Sequence, residues 1–241
     1  MSHEFSIIIP VLNEAPCLPR LVDEISQVFS GRSYELIIID DGSTDETLAT
    51  LIELKDNYPA LRVVGLPSHG GKSRALLAGA EAAKGHLLGL MDGDGQDDPS
   101  DLLRLYRVYV AANAPQDIGM VMGERTHRSE SPLRQTLSGV SNKLRRWRLR
   151  DDARDSACGM KVIPRDLYLS LPYFDTMHRF MPALVKAVRR RVGFVPIDQR
   201  DRIAGQSKYG TWNRLMVGLS DLNGVAWLTK RNREAARGKE Y

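Results

Sequence analysis

Residues 86–99 read HLLGLMDGDGQDDP. His86 to Met91 is a short, nearly continuous apolar run, and it stops abruptly at Asp92, Gly93 and Asp94. An apolar run of this length bounded by turn residues predicts a strand buried on both faces. Pro99 to Ala112 follows with helical spacing and proline in its first turn, where a missing N–H costs nothing. The same unit recurs toward the N-terminus. Phe5 to Leu12 and Tyr34 to Ile39 are buried strands, followed by helical patterns at Leu18 to Phe29 and at Thr44 to Asn57, the latter capped by Ser43 or Thr44. Leu61 to Leu66 is a third strand, and Gly71 to Lys84 an Ala-rich helix closed by Gly85. Ile118 to Met122 is a fifth strand. Strand and helix alternate four times, and the strands are apolar throughout rather than at every second residue. That pattern predicts an α/β fold with a mostly parallel, Rossmann-like sheet and helices on both faces.

Ligands of such sheets bind outside the carboxyl ends of the strands. The polar clusters fall there: Asn13-Glu14, Asp40-Asp41, Ser68 to Lys72, and Asp92 to Asp98. Asp92 and Asp94, two residues apart at a strand end, can face one divalent cation, with Gln96 as a neutral oxygen donor. Hard oxygen ligands suit Mg²⁺ or Mn²⁺. Such a metal could bridge a diphosphate and stabilise a leaving nucleoside diphosphate. A plain Asp-Gly turn is the alternative for these residues. Asp41 can accept from a base N–H or a ribose hydroxyl, while Ser43 caps the next helix. Gly70-Gly71-Lys72-Ser73 looks like the end of a phosphate loop. The full pattern needs glycine where Leu66 stands, so a P-loop nucleotidase is excluded. Lys72 is left as a candidate phosphate contact.

The chain has 241 residues, 42% of them hydrophobic, with a formal charge of +4. This is enough for one full core. The basic residues concentrate between Arg125 and Lys161 and between Lys230 and Lys239, which suggests phosphate-bearing partners or an anionic membrane surface, with a solvated face as the plain alternative. Cys17 and Cys158 have no metal-ligand spacing, and a reducing cytosol is the default. No signal peptide is expected at the N-terminus, and no apolar run approaches the roughly 18 residues of a membrane-spanning helix.

Beyond Arg125 the pattern changes. Pro132 to Arg150 is a basic helix with an apolar stripe at Leu133, Leu137, Val140, Leu144 and Trp147. It reads either as an interfacial helix or as a helix packed on the core. Asp155 to Ile163 is a strand or turn, Arg179 to Arg191 a helix, Val192 to Ile197 a strand, and Ala204 to Gly210 a Gly-bearing loop. Thr211 to Thr229 is a final helix, with Trp212, Leu215, Met216, Leu219, Leu222, Trp227 and Leu228 ahead of a basic tail. The expected organisation is a catalytic domain over 1–210 and an amphipathic helix with tail over 211–241.

Pro10-x-x-Asn13-Glu14, Asp40-Asp41-Gly42-Ser43, Gly71-Lys72 and Asp92-x-Asp94-x-Gln96-x-x-Pro99, in that order, resemble the family 2 glycosyltransferases. Within them the chain looks like the dolichol-phosphate mannose synthase group and its bacterial polyprenyl-phosphate relatives. Later segments resemble the same group: Arg134-x-x-x-Ser138, Asp155-x-x-Cys158-Gly159-Met160-Lys161, Arg179-Phe180-Met181-Pro182, and Arg202-x-x-Gly205-x-Ser207-Lys208-Tyr209. The resemblance implies a GT-A fold and a nucleotide-sugar donor carrying GDP or UDP. Pro10, Leu12, Glu14, Ile39 and Asp41 would hold the nucleoside, with Lys72, Gly93 and the metal-binding Asp92, Asp94 and Gln96 around the diphosphate. The family commonly has tyrosine where this chain has Leu12.

The implied acceptor is a polyprenyl phosphate. Arg125, Arg134, Ser138 and Arg179 would meet its phosphate, and Asp94, Arg125, Arg202 and Lys208 would serve catalysis. A sugar hydroxyl acceptor needs a general base, whereas a phosphate monoester is largely dianionic at neutral pH and needs only cations. A hydroxyl-acceptor enzyme is the nearest alternative, with Asp155 as the one evident base. A non-catalytic nucleotide-sugar-binding scaffold is the more distant one. The expected location is the cytoplasm, peripheral on the inner face of a membrane. A separate integral membrane partner and a homo-oligomer are both compatible with the final helix. No nucleic-acid partner is expected.

Overall fold

The computed structural model describes residues 4–111, 118–126, 143–200 and 211–231, with 211–219 described by backbone alone. Among these residues the strands are β1 (Phe5–Val11), β2 (Tyr34–Asp40), β3 (Leu61–Gly65), β4 (Leu87–Leu90), β5 (Ile118–Arg125), β6 (Lys161–Pro164) and β7 (Arg191–Ile197). The helices are α1 (Leu18–Val28), α2 (Thr47–Lys55), α3 (Lys72–Ala82), α4 (Pro99–Ala111), α5 (143–149), α6 (Arg165–Ser170), α7 (Met181–Ala187) and α8 (Thr211–Arg231). The strands form one sheet in the order β3-β2-β1-β4-β6-β5-β7. All run parallel except β6, which is antiparallel to both neighbours.

Alternation along β1 puts helices on both faces, as expected from apolar runs. Phe5 meets Phe29 and Tyr106, at ring-centroid distances of 5.8 and 4.8 Å, so α1 and α4 share one face. Ile8 points to the other face. There α3 lies so close that a Cβ on Gly79 would meet Ile8 Cγ2 at 2.5 Å and Ile39 Cδ1 at 2.7 Å. At the amino end of the sheet, buried Glu35 joins four elements. It accepts from Ser6 Oγ at 2.7 Å, from the Lys84 N–H at 2.6 Å and from Arg62.

Several local expectations need correction. Neither Ser43 nor Thr44 caps α2, which starts at Thr47. Instead the Ser43 hydroxyl accepts the Asn13 N–H at 2.9 Å and Asn13 Oδ1 accepts the Thr44 N–H at 2.7 Å, stitching the ends of β1 and β2 together. Gly85 is no left-handed helix terminus, because α3 ends in extended backbone at Ala83. Gly85 is small because Ser6 lies against it, with Oγ 2.6 Å from where a Cβ would stand. Helix α7 begins at Met181, after a separate 3-10 turn at Met177–Arg179, and Arg191 opens β7.

The apolar stripe is inverted where it can be seen. Leu144 and Trp147 are 41% and 75% exposed, while Arg145 is buried and donates to Asp151 at 2.8 Å. Leu133, Leu137 and Val140 lie outside the described residues. Within α8, Leu222, Val225 and Ala226 are buried and the helix packs on α7. No helix among the described residues is long and apolar enough to cross a membrane.

Candidate active site

The parallel strands release their carboxyl ends at one edge, and the single antiparallel strand starts there. Lys161, the first residue of β6, pairs in register with Leu90 at the end of β4, two residues before Asp92. The segment 155–160 therefore crosses the front of the Asp92–Asp94 motif. Gly159 lies so close that a Cβ would meet Asp92 Oδ1 at 2.4 Å and Oδ2 at 2.8 Å. On its other side the motif rests on β1, where a Cβ on Gly93 would meet Val11 Cγ1 at 2.4 Å. Gly159 thus lets backbone close on the carboxylate, and Gly93 lets the motif lie flat on β1.

Lys72, at the start of α3, donates its ammonium to Asp92 Oδ1. Burial opposes both charges. Asp92, with Asp97 and Asp94, outweighs it and raises the Lys72 pKa. Lys72, with Lys161 and Arg125, in turn holds the Asp92 carboxyl below its ordinary range. Asp97 is buried, and burial, then Asp92 and Asp94, push it up to about 7. Negative charge is thus crowded at the end of β4. The Gln96 N–H donates to Asp94 Oδ1 at 3.2 Å, and its side-chain amide donates to the Arg200 carbonyl at 3.4 Å. Arg200 bridges Glu24, at 2.7 Å, and Asp98, at 2.5 Å.

Arg125 ends β5 and forks onto Asp155, with Nη2 3.0 Å from Oδ1 and Nε on Oδ2, while Nη1 donates to Gln199 Oε1 at 3.3 Å. Asp155 is only 3% exposed. Burial opposes the Arg125 charge, but Asp155 outweighs it and raises its pKa. At the end of β2, Asp41 is buried and accepts from His69 and from the backbone of Gly70 and Gly71. Pro10, Leu12 and Glu14 are half-buried at the end of β1, whereas the Ile39 side chain is wholly in the core under α3. Arg179 is half-buried beside His178. Arg134, Ser138, Arg202 and Lys208 lie outside the described residues.

Three residues to which the motifs assigned no role join the site. Lys161 is buried, donates to the Cys158 carbonyl, and is pushed down to about 8 by burial, with Lys72 adding to the effect. His178 Nδ1 lies 2.8 Å from Ser73 Oγ, and burial, then Lys72 and Lys161, hold its pKa well below the ordinary value. His69 stands on Asp41. A lysine opening an otherwise apolar strand, as in Lys161-Val-Ile-Pro164, was a visible signal. The two histidines carried none.

The family model described as Glycosyl transferase family 2 matches residues 6–171. The chain belongs to glycosyl transferase family 2. Among curated relatives, dodecaprenyl-phosphate galacturonate synthase of Rhizobium johnstonii is 32% identical over 215 residues, covering 87% of this chain and 62% of that protein. Undecaprenyl-phosphate 4-deoxy-4-formamido-L-arabinose transferase of Shewanella sediminis is 32% identical over 212 residues, covering 86% and 62%. The chain thus spans less than two thirds of the length of these relatives.

Two solved structures show the fold. Glucosyl-3-phosphoglycerate synthase of Mycobacterium tuberculosis, in complex with Mn²⁺, UDP and phosphoglyceric acid, superposes with a TM-score of 0.69 at 19% identity, covering 98% of this chain and 82% of that one. A mannosyltransferase of Pyrobaculum calidifontis, in complex with GDP-Man and Mn²⁺, gives a TM-score of 0.65 at 17% identity, covering 98% and 66%. The fold is of the GT-A type. It is the expected mostly parallel sheet with helices on both faces.

Proposed function

We propose that this family 2 glycosyltransferase moves a sugar from a UDP- or GDP-sugar to a polyprenyl phosphate, with inversion, and uses Mg²⁺ or Mn²⁺. The observation that carries the acceptor half is the state of Asp155. A hydroxyl acceptor needs a general base. The carboxylate best placed by sequence for that task is buried and forked by Arg125. An Arg-locked carboxylate is a poor base, since the guanidinium stabilises its ionised form. A phosphate acceptor has no such need, and the two curated relatives are named for polyprenyl-phosphate products or acceptors.

The oxygen donors fit a hard divalent cation, because Asp92, Asp94 and Gln96 are all oxygen-bearing and Asp97 behind them is pushed up by burial and then by the charges of Asp92 and Asp94. Asp92, Asp94 and Gln96 would hold the ion, which when bound supplies charge stabilisation to the departing diphosphate. Lys72 orients Asp92 and stands ready as a cation for a phosphate oxygen. Arg125, with Arg134, Arg179, Arg202 and Lys208, would hold the acceptor phosphate for in-line attack on the anomeric carbon. As that bond forms, the bond to the nucleoside diphosphate breaks. The acceptor's lipid places the work at a membrane surface, on the cytoplasmic side where nucleotide-sugars are made. The catalytic unit is 1–210, with 211–241 serving attachment to the membrane or to a partner.

Transfer from radiolabelled nucleotide-sugars to a short polyprenyl phosphate tests this. An acid-labile lipid product is expected, and Asp94→Ala should lower turnover about a hundredfold or more at saturating Mn²⁺. An acid-stable glycan product, or near-normal turnover by Asp94→Ala, would contradict the acceptor and the metal assignments respectively.

A further inference from the structure

The ends of β2 and β3 are tied together by one carboxylate. Asp41 Oδ2 lies 2.7 Å from His69 Nδ1 and accepts the Gly71 N–H at 2.9 Å, while Oδ1 accepts the Gly70 N–H at 2.8 Å. A carboxylate offers about four lone-pair sites. This one gives three to a single loop. Gly42, at φ +76°, lets that loop lie on the strand end, since a Cβ there would meet His69 N at 2.6 Å and Ser68 C at 2.7 Å. The Asp41 side chain is 5% exposed and that of His69 is 47% exposed. The group this corner presents outward is the imidazole.

A carboxylate only accepts, so the bonding assigns the proton to Nδ1. In the neutral ring Nε2, on the edge away from Asp41, is then an acceptor. Arg74 packs on the next residue of the same loop. A Cβ on Gly70 would meet Arg74 Cδ at 2.3 Å and Nη1 at 2.7 Å, so the missing side chain of Gly70 is the room its stem and guanidinium fill. An acceptor on a loop that a guanidinium packs against complements a base edge that carries a ring N–H beside a carbonyl. Uracil and guanine have that edge. Cytosine and adenine present a bare ring nitrogen beside an amino group, reversed at both positions.

We infer that His69, held by Asp41 and flanked by Arg74, is the base-reading group of the donor site, selecting nucleotides whose base has a ring N–H next to a carbonyl. Asp41 then acts through His69, as a positioning residue. The inference rests on the donor site proposed above.

Calorimetric titration of the full chain with UDP, CDP, GDP and ADP in the presence of Mn²⁺ tests it. Wild type should prefer UDP over CDP, or GDP over ADP, by about tenfold or more. His69→Ala should bring the paired affinities within about threefold of one another, chiefly by weakening UDP or GDP. Arg74→Ala should narrow the same ratio and serves if His69→Ala does not fold. Asp41→Asn, which leaves His69 in place, should also narrow it. A preference that survives in both His69→Ala and Arg74→Ala overturns the inference. Equal binding of all four nucleotides by wild type overturns it while leaving the donor site intact. Binding of none removes the donor site as well.

Discussion

Asp92 shows how much of this site depends on single residues that carry no charge. Its carboxylate is drawn by Lys72 on one side and closed in by the Gly159 backbone on the other. The conformation at Gly159 is one alanine could adopt, since its φ is not positive. The obstacle to a side chain there is therefore the carboxylate itself. Gly159→Ala should leave the melting temperature nearly unchanged and lower turnover about tenfold or more, because displacing a positioned group by a fraction of an ångström is costly to the rate. Steady-state assay beside thermal denaturation checks this, and an unaffected rate would show that the place of Asp92 does not matter.

Two ion pairs at the level of elements have opposite thermodynamic characters. Glu35 ties β1, β2, β3 and the end of α3, far from the site. Burial alone would raise its pKa, but Ser6, the Lys84 N–H and Arg62 outweigh burial and lower it. A lowered carboxyl contributes stability that is present above its unfolded value near 4.5 and is lost as pH falls through the folded value. Glu35→Gln should therefore destabilise by about 2–3 kcal/mol at pH 7. The difference from wild type should shrink once pH falls below 4.5, as urea denaturation at a series of pH values would show.

Arg145 and Asp151 are paired at 2.8 Å but incompletely satisfied, with Arg145 Nε and Asp151 Oδ1 lacking partners. Burial lowers the one pKa and raises the other, so both are biased toward neutrality. Arg145→Met alone should cost about 3–5 kcal/mol, because Asp151 is left buried and charged. Adding Asp151→Leu should recover most of it. A double variant no better than the single one would mean the pair supplies more than it costs.

At the scale of the molecule, α5 and α8 both flank α7. Lys186 on α7 donates to the Arg150 carbonyl and to Asp152, each at 2.7 Å, and α8 packs on α7 directly. From these flanks Trp147 and Trp227 stand out, 75% and 59% exposed, among the exposed Lys143, Arg146, Arg150, Lys230 and Arg231. Arg231 Cζ sits 5.2 Å from the Trp227 ring centroid. Exposed tryptophan among cations is the composition of a surface that meets anionic lipid. In co-sedimentation, vesicles containing phosphatidylglycerol should bind the protein, and neutral ones should not. Trp147→Ala with Trp227→Ala should weaken binding about tenfold, since each indole buries large apolar area. Equal binding to both vesicle types would argue against a charged membrane face.

By itself the sequence determined the parallel strands and the edge on which chemistry gathers, while the antiparallel β6, Lys161–Pro164, was read only as a strand or turn over Asp155 to Ile163. Continuous apolar runs leave a buried strand few other solutions, and polar residues cannot follow it inward. It also carried the family, because Asp41, Lys72, Asp92, Asp94 and Gln96 lie in short local motifs. Only the tertiary structure decided what depends on contacts distant in sequence. Lys161 enters the site because β6 runs antiparallel and starts at the carboxyl edge. Asp155 is forked by Arg125, thirty residues away. Asp41 is turned inward by a loop from β3. The inversion of α5 was beyond any periodicity, since the stripe of Leu144 and Trp147 predicts burial from spacing alone. In the fold Arg145 faces inward and pairs with Asp151, just past the helix end, while Trp147 faces out.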